Sequence, residues 1–130
     1  MILLKKLDLS HNRLISIPES IAQLTLLTDL NLSSNQLITI PANIGRYLSA
    51  RDNQLTILPE LPSSLEIIFV SDNQLTVLPD LPSRLSGLDV ANNQLTTLTE
   101  LPSSLTFLHT NNNPLTPNEQ ERIRQIRRRL

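Results

Sequence analysis

The chain has 130 residues, 39% of them hydrophobic, and a formal net charge of −1 at pH 7. These values fit one folded domain and argue against a disordered chain. The absence of cysteine excludes disulfides, thiolate metal sites and cysteine nucleophiles, and favours a cytoplasmic place of work. The opening MILLKKLDLSHN has its lysines after a short apolar run, so we expect no Sec signal peptide, and no later segment is long enough to span a membrane.

One pattern occurs six times: LKKLDLSHNRL, LTDLNLSSNQL, GRYLSARDNQL, LEIIFVSDNQL, LSGLDVANNQL and LTFLHTNNNPL. Its asparagines follow one another at spacings of 23, 18, 20, 20 and 20 residues, a period typical of leucine-rich repeats. They are Asn12, Asn35, Asn53, Asn73, Asn93 and Asn113. Their amides are suited to bond backbone groups at a turn, so we predict a structural asparagine ladder rather than a catalytic role.

Alternating residues in each repeat predict a short strand with one face toward a core. The predicted inward residues are Leu7, Leu9, Leu30, Leu32, Ile68, Val70, Leu88 and Val90. In the opening repeats, IPESIAQLTLL is long enough for a helical turn. The prolines of LPELPSS, LPDLPSR and LTELPSS favour extended backbone in the later ones. The segment IPANIGRYLSARDNQL is two residues shorter than its neighbours, so we expect a tightened arc near Gly45.

The last segment, NPLTPNEQERIRQIRRRL, predicts a capping helix over residues 117–130. Thr116 is the predicted N-cap, Pro117 the first helical residue, and Glu119 the partner of Thr116 in a capping box. Ile123, Ile126 and Leu130 are predicted to share the face that covers the last repeat. The five arginines of this segment suit the C-terminus of a helix, and the alternative is contact with phosphates, an acidic partner or an import receptor.

The predicted fold class is α/β and β-dominated: a right-handed leucine-rich-repeat solenoid with short parallel strands on its concave face, extended or 3₁₀ convex segments and a C-terminal capping helix. Residues 1–116 form the six repeats and 117–130 the cap. The repeats run over about 4–26, 27–44, 45–64, 65–84, 85–104 and 105–116. The N-terminal edge has no comparable cap in the sequence, so self-association through that edge is one expectation.

The tandem LPELPSSLEIIFVSDNQLTVLPDLPSRLSGLDVANNQLT resembles the short, proline-containing repeats of bacterial effectors of the IpaH and YopM type, over about residues 55–115. The resemblance implies delivery into host cells and binding of host proteins. In the IpaH type a cysteine-dependent ubiquitin ligase domain follows the repeats, whereas this chain has no cysteine and continues into the predicted capping helix. The helical hairpin that usually precedes such repeats is also absent from this sequence.

The outward residues of the predicted strands form columns on the concave face, the usual binding surface of a solenoid. All three aromatic residues of the chain fall on these columns, although the core needs none of them. Aromatic residues with a nearby arginine are typical of interface hot spots. The predicted concave contact set is Tyr47, Ile67, Phe69, Arg51, Asp89, Phe107 and His109. The alternative is a scatter of exposed apolar residues, as on any surface.

Asp89 and His109 are predicted lateral neighbours, and their pairing is either a pH-sensitive element of binding or a surface pair of small consequence. No nucleophile completes a catalytic group with them, so the chain is predicted not to be an enzyme. Asp52 and Asp72 precede ladder asparagines, and turn preference explains them better than a calcium site. No spacing predicts a cofactor or another metal site.

The predicted function is therefore binding of a partner protein on the concave face, in the manner of an effector secreted by a bacterium into the host cytoplasm. The alternative is a substrate-recognition or autoinhibitory arm of a multidomain enzyme such as a ubiquitin ligase. A fragmentary or engineered repeat protein without a partner is a third interpretation. The acidic body of the chain argues against general nucleic-acid binding, since phosphate binding needs a continuous basic face.

Overall fold

The computed structural model describes residues 3–42 and 44–130. Six short strands form one parallel sheet whose strand order follows the chain. The strands are β1 (Lys6–Asp8), β2 (Asp29–Asn31), β3 (Tyr47–Ser49), β4 (Ile67–Phe69), β5 (Gly87–Asp89) and β6 (Phe107–His109). They are paired without slippage, so equivalent residues of successive repeats lie side by side. The predicted repeat solenoid is thus confirmed.

Branched aliphatic residues fill the space between the sheet and the convex segments. The middle residues of β2 to β6 are buried, and they are Leu30, Leu48, Ile68, Leu88 and Leu108. The leucines that follow the asparagines by two residues are buried in the four central repeats, and only partly buried in the first and last. Each fully buried leucine contributes about 1.5–3 kcal/mol through removal of apolar surface from water. One continuous core therefore runs along the solenoid.

The side chain of Asn73 bonds to two repeats at once. Its Nδ2 donates to the carbonyl oxygens of Val70 in its own repeat and Ala50 in the preceding one, both at 3.0 Å. Its Oδ1 accepts from the backbone N–H of Leu55 at 3.0 Å. The same three bonds are made by Asn35, Asn53, Asn93 and Asn113. Within the described residues, the side chain of Asn12 in the first repeat bonds only to carbonyl groups of its own turn.

The residue before each of these asparagines has a left-handed backbone. Its φ lies between 55° and 60° in all six repeats, at His11, Ser34, Asp52, Asp72, Asn92 and Asn112. Asparagine and aspartate tolerate this region better than other residues with a side chain. Turn geometry thus accounts for the two aspartates, and within the described residues no three His, Cys, Asp or Glu side chains are grouped to hold a metal ion.

The convex segments have two kinds of backbone conformation, as the prolines of the later repeats predict. Glu19–Gln23 forms a 3₁₀ turn in the first repeat. In the later repeats a proline carbonyl accepts from the N–H of the leucine three residues on, as in Pro62 with Leu65 at 3.1 Å, and the backbone is otherwise extended. Within the described residues no α-helix lies on the convex side.

The shortened arc closes tightly on the preceding repeat at Gly45. Its φ is +70°, and a Cβ placed there would lie 2.6 Å from the carbonyl oxygen of Leu27 and 2.8 Å from that of Thr28. Both conditions exclude a side chain at this position. Part of the predicted irregularity, at residue 43, lies outside the described residues.

The helix α1 (Pro117–Arg127) covers the end of the last repeat. The Oγ1 of Thr116 accepts from the N–H of Glu119 at 3.2 Å. The reciprocal bond of the predicted capping box is replaced, because the Thr116 N–H donates to the Thr96 carbonyl and the Glu119 carboxylate pairs with Arg122. Ile123 is buried against the core.

Leu130 does not join the face that covers the last repeat. It lies beyond the end of α1 and is 46% exposed, so the predicted three-residue face reduces to Ile123 with the partly buried Ile126. Two arginines supply the remaining contacts of the cap. Nη2 of Arg122 donates to the Leu98 carbonyl at 3.0 Å, and Nη2 of Arg127 donates to the buried hydroxyl of Thr110 at 3.0 Å.

Within the described residues, none of the helices has the length and the apolar character needed to cross a membrane.

The ladder predicts a large difference between two neighbouring polar residues. Asn73→Ala should lower the free energy of unfolding by about 3 kcal/mol or more, because it leaves buried carbonyl and N–H groups of two repeats without partners. Gln74→Ala changes an exposed side chain and should cost under about 0.5 kcal/mol. Urea unfolding followed by circular dichroism measures both, and equal losses would contradict a stabilising ladder.

The two glycines of the chain provide a second comparison. Gly45→Ala should cost more than about 2 kcal/mol, because the new Cβ meets backbone oxygens in a left-handed conformation. Gly87→Ala should change stability by less than about 1 kcal/mol, because its Cβ would lie 3.4 Å from Cγ1 of Ile67, an ordinary contact with a side chain. Thermal unfolding of both variants tests this order, and the reverse order would refute it.

Candidate functional site

The outward side chains of the six strands form two straight columns on the concave face. The first column is Lys6, Asp29, Tyr47, Ile67, Gly87 and Phe107, and the second is Asp8, Asn31, Ser49, Phe69, Asp89 and His109. The strand pairing aligns these columns because the inward residues between them are locked in the core. Six of the seven residues in the predicted concave contact set lie on the two columns, and Arg51 lies two residues after the end of β3.

A cavity of about 460 Å³ opens over strands β1 to β4. Tyr47, Ile67 and Phe69 form its apolar wall, and its floor is formed by the middle residues of β1 to β3. The short side chains of Asn31 and Ser49 leave the space beside Phe69 free. We call this cavity the concave pocket, and its lining residues are Lys6, Leu7, Asp8, Asp29, Leu30, Asn31, Tyr47, Leu48, Ser49, Ile67 and Phe69.

The aromatic surface extends from the pocket toward β6. Phe69 and Phe107 make an edge-to-face contact across β5, with ring centroids 6.1 Å apart and an interplanar angle of 81°. The ring of Phe107 also lies 4.5 Å from that of His109. Edge-to-face pairs of this kind contribute about 0.5–1.5 kcal/mol beyond their buried area. The predicted patch of Tyr47, Ile67 and Phe69 is thus continuous with Phe107.

Gly87 lies beside this contact, and its role was not predicted from the sequence. It lies on β5 between Ile67 and Phe107, and the side chain of Ile67 packs against the place where its Cβ would be. Without a side chain at this position, Ile67 lies directly over β5. Glycine is rare inside strands and often marks a place where another group packs closely against the backbone. A glycine at a strand position that carries a side chain in the other five repeats was therefore the sequence signal that could have indicated this role.

A buried carboxylate connects the other polar members of the concave contact set. Asp89 is 5% exposed, and its Oδ2 lies 3.3 Å from Nη2 of Arg51 and 3.9 Å from Nδ1 of His109. Its Oδ1 accepts from the Ala91 N–H at 3.1 Å. Arg51 reaches Asp89 by crossing over Phe69, with its guanidinium carbon 4.5 Å from the ring centroid. Asp89 therefore holds both of its basic neighbours against the aromatic surface.

Two carboxylates flank the concave pocket on its β1–β2 side. Oδ1 of Asp8 accepts from the N–H and hydroxyl of Ser10, at 2.9 and 2.5 Å, and these bonds lower the pKa of Asp8 below its ordinary value. Oδ1 of Asp29 accepts from the Thr28 hydroxyl at 2.8 Å. Within the described residues neither carboxylate has a cation within ion-pair distance.

Arg46 borders the pocket beside Tyr47. Its guanidinium carbon lies 5.6 Å from the centre of the Tyr47 ring, and its Nε donates to the Glu66 carboxylate. This hydrogen bond, assisted by the charge of Arg46, lowers the pKa of Glu66 and raises that of Arg46 from their ordinary values. Neither residue was predicted as a site residue, because both lie just outside the two columns.

Comparison with known proteins agrees with this architecture. A family model described as "Leucine rich repeat" matches residues 1–41. The chain is similar to the leucine-rich-repeat domain of a Shigella effector, with 34% identity and a TM-score of 0.82 over 87% of this chain. It is also similar to YopM from Yersinia enterocolitica WA-314, with 32% identity and a TM-score of 0.64 over 85% of this chain. No curated protein matches the sequence.

The chain is a leucine-rich-repeat protein that resembles bacterial effector repeat domains. The repeat protein spans 51% of the length of the Shigella domain and 29% of the length of YopM. Its fold and its relatives support a protein-interaction module, and the predicted resemblance to the IpaH and YopM type is confirmed.

The Arg46–Glu66 pair predicts a measurable pKa change. Arg46→Ala should raise the pKa of Glu66 toward its ordinary value, since the hydrogen bond and the positive charge are both lost. Arg46→Lys keeps the charge but lacks the Nε–H, so it should give a smaller rise. Carbon-13 NMR titration of the Glu66 carboxyl group measures these values, and an unchanged pKa in Arg46→Ala would contradict the pairing.

The sign of the pH effect follows from the lowered pKa. Because folding lowers the pKa of Glu66, its pair with Arg46 stabilises the fold above the pKa of glutamate in an unfolded chain, about 4.3. That contribution is lost as pH falls through the lower value of the folded protein. Since both side chains are exposed to solvent, the effect on overall stability is small.

Proposed function

We propose that the repeat protein binds a partner protein on its concave face, through the concave contact set and the pocket beside it. The observation that carries this proposal is the placement of every aromatic residue of the chain on the concave sheet. A core made of leucine, isoleucine and valine does not use them. Exposed aromatic residues next to an arginine are the usual anchors of protein interfaces.

The arrangement of these anchors supports the same proposal. Tyr47, Ile67 and Phe69 form a wall of the concave pocket, and Phe107 extends that wall toward β6. Asp89 keeps the Arg51 side chain in place, so a partner meets an ordered guanidinium group rather than a flexible one. Groups held in place before binding lose less conformational entropy when the complex forms.

The biological setting is proposed from the relatives alone. One relative is described as a Shigella effector domain and another is YopM of Yersinia enterocolitica, and each shares about a third of its aligned residues with this chain. We infer that the repeat protein acts as a bacterial effector in the host cytoplasm, where its partner is a host protein. The arginine-rich end of α1 then has either a capping role alone or an added targeting role.

A second candidate is a recognition or autoinhibitory arm of a larger enzyme, such as a ubiquitin ligase with its catalytic domain outside this chain. The observation that supports it is that the Shigella relative is described as the leucine-rich-repeat domain of an effector, that is, as one domain of a protein. Sequence flanking the gene separates the two, because the second candidate requires an adjacent catalytic domain.

Self-association through β1 also stays a prediction. Leu3 and Leu4 are exposed next to this strand, so a second copy would cover apolar surface there. Sedimentation measurements over a range of concentrations test it, and a monomer at every concentration would contradict it.

Two isoleucines provide a matched test of the concave face. Ile67→Ala, and independently Phe69→Ala, should reduce capture of the partner from host-cell lysate by about tenfold or more, as expected of interface anchors. Ile57→Ala removes the same atoms from a 55% exposed side chain outside the concave columns and should leave capture unchanged. Quantitative mass spectrometry of captured proteins gives the comparison.

Circular dichroism of the three variants provides the control for folding. If Ile67→Ala and Phe69→Ala capture the same proteins as Ile57→Ala and the original chain, the concave face is not the binding surface.

A further inference from the structure

We propose that the concave face binds an extended peptide segment of defined charge order: a basic residue over β1 and β2, a large apolar residue in the concave pocket, and an acidic residue toward β6. This inference rests on the proposed function and specifies the chemistry of the partner. The charged side chains and free hydrogen-bonding groups of the sheet support this charge order.

The β1–β2 side of the face offers acceptors for a basic group. Lys6 lies beside Asp29 in the first column and also lines the pocket, but within the described residues it is not within ion-pair distance of Asp8 or Asp29, so both carboxylates remain available to a ligand. Asp8 and Asp29 each use Oδ1 in a local hydrogen bond, and within the described residues Oδ2 of each has no bond to a side-chain or backbone donor. The local bonds fix the carboxylates in direction and leave the second oxygen for a ligand. An ammonium or guanidinium group at this place gains two acceptors that already point in fixed directions.

The centre of the face accepts an apolar side chain. The concave pocket has a volume of about 460 Å³, which is within the range of small-ligand sites, and its wall is apolar. Its floor is strand backbone that bonds within the sheet, and a polar group placed against the wall of Tyr47, Ile67 and Phe69 would lose its water without replacement. The pocket therefore favours a leucine, methionine or aromatic side chain over a charged one.

The β5–β6 side offers donors for an acidic group. Arg51 and His109 share the single buried carboxylate of Asp89, and both basic side chains are about half exposed. The contact of the Arg51 guanidinium with Asp89 is made through Nη2 at 3.3 Å, and the side chain is 44% exposed, so other N–H groups of its five donors remain for a ligand. A carboxylate arriving here meets a permanent positive charge next to Phe69.

Strand spacing converts this arrangement into a sequence pattern. Parallel strands lie about 4.8 Å apart, so two strand intervals separate β2 from β4 and β4 from β6 by about 10 Å each. An extended peptide in the polyproline II conformation advances about 3.1 Å per residue and has three residues per turn, so side chains three positions apart lie on one face. A segment lying across the strands therefore places its basic, apolar and acidic residues about three positions apart.

Panning of a phage-displayed library of random linear peptides on the full chain tests this pattern. We expect enriched peptides to carry a large apolar residue with a lysine or arginine about three positions to one side and an aspartate or glutamate about three positions to the other. Enriched peptides without that charge order, or a library that yields no enriched peptide, would overturn the inference.

Charge reversal on both sides makes the test specific. For a synthetic peptide from the selection, Asp29→Lys should weaken binding by about tenfold, and a peptide with its basic residue changed to glutamate should recover the loss. Arg51→Glu should act in the same way on the acidic end, with circular dichroism as the control for folding because the variant places a second carboxylate beside the buried Asp89; Arg51→Gln serves where Arg51→Glu does not fold. Asp80→Lys makes the same change on an exposed convex position and should have no effect. Asp29→Asn serves where Asp29→Lys lowers stability.

The fluorescence of Tyr47, the only tyrosine in a chain without tryptophan, reports binding of peptides that lack both residues. If reversal leaves the preference unchanged while Ile67→Ala and Phe69→Ala abolish binding, this inference fails and the proposed function stands. If the selected peptides also bind these two variants unchanged, the concave face is not their site and both proposals lose support.

Discussion

The asparagine ladder is the interaction on which the rest of the molecule depends. Each ladder amide from Asn35 onward bonds its own turn and two backbone groups of the preceding repeat, so it fixes the stagger between neighbouring repeats as well as the turn. Strands of three residues make few hydrogen bonds of their own, so the ladder adds bonds that hold the same register. Because the register is fixed, every outward side chain occupies a known place in a column, and the concave surface becomes a defined arrangement.

Within that arrangement, the outward residues are free to vary because the core makes no demand on them. The first, second and fifth repeats place only short or polar residues on the concave columns, whereas the third, fourth and sixth place Tyr47, Ile67, Phe69 and Phe107 there. Gly87 in the fifth repeat has no side chain, so Ile67 packs directly over β5, and Phe69 contacts Phe107 across the same strand. The apolar patch of the third and fourth repeats therefore continues across the fifth repeat to the sixth.

The sequence predicted the strands, the core and the columns, because a period of about 20 residues and a two-residue alternation determine them almost without side-chain detail. It did not predict contacts made by long side chains. Arg51 crosses Phe69 to reach Asp89, and Glu119 pairs with Arg122 rather than with the N–H of Thr116. Both contacts depend on side-chain rotamers, which the sequence pattern does not specify. Leu130 was misplaced because a helical period was extended past the last turn of α1.

Stability and recognition are largely separated in this protein, with one exception. The inward leucines are buried beneath the sheet and four of the ladder asparagines are buried in the turns that follow the strands, while the residues proposed for binding lie on the concave side. Asp89 belongs to both groups, because it is buried like a core residue and yet holds the Arg51 and His109 of the concave surface. A buried carboxylate is tolerated only while its charge is compensated. The charged half of the concave face is therefore coupled to the stability of the fold through Asp89, whereas the side chains of its apolar half can change without altering the core.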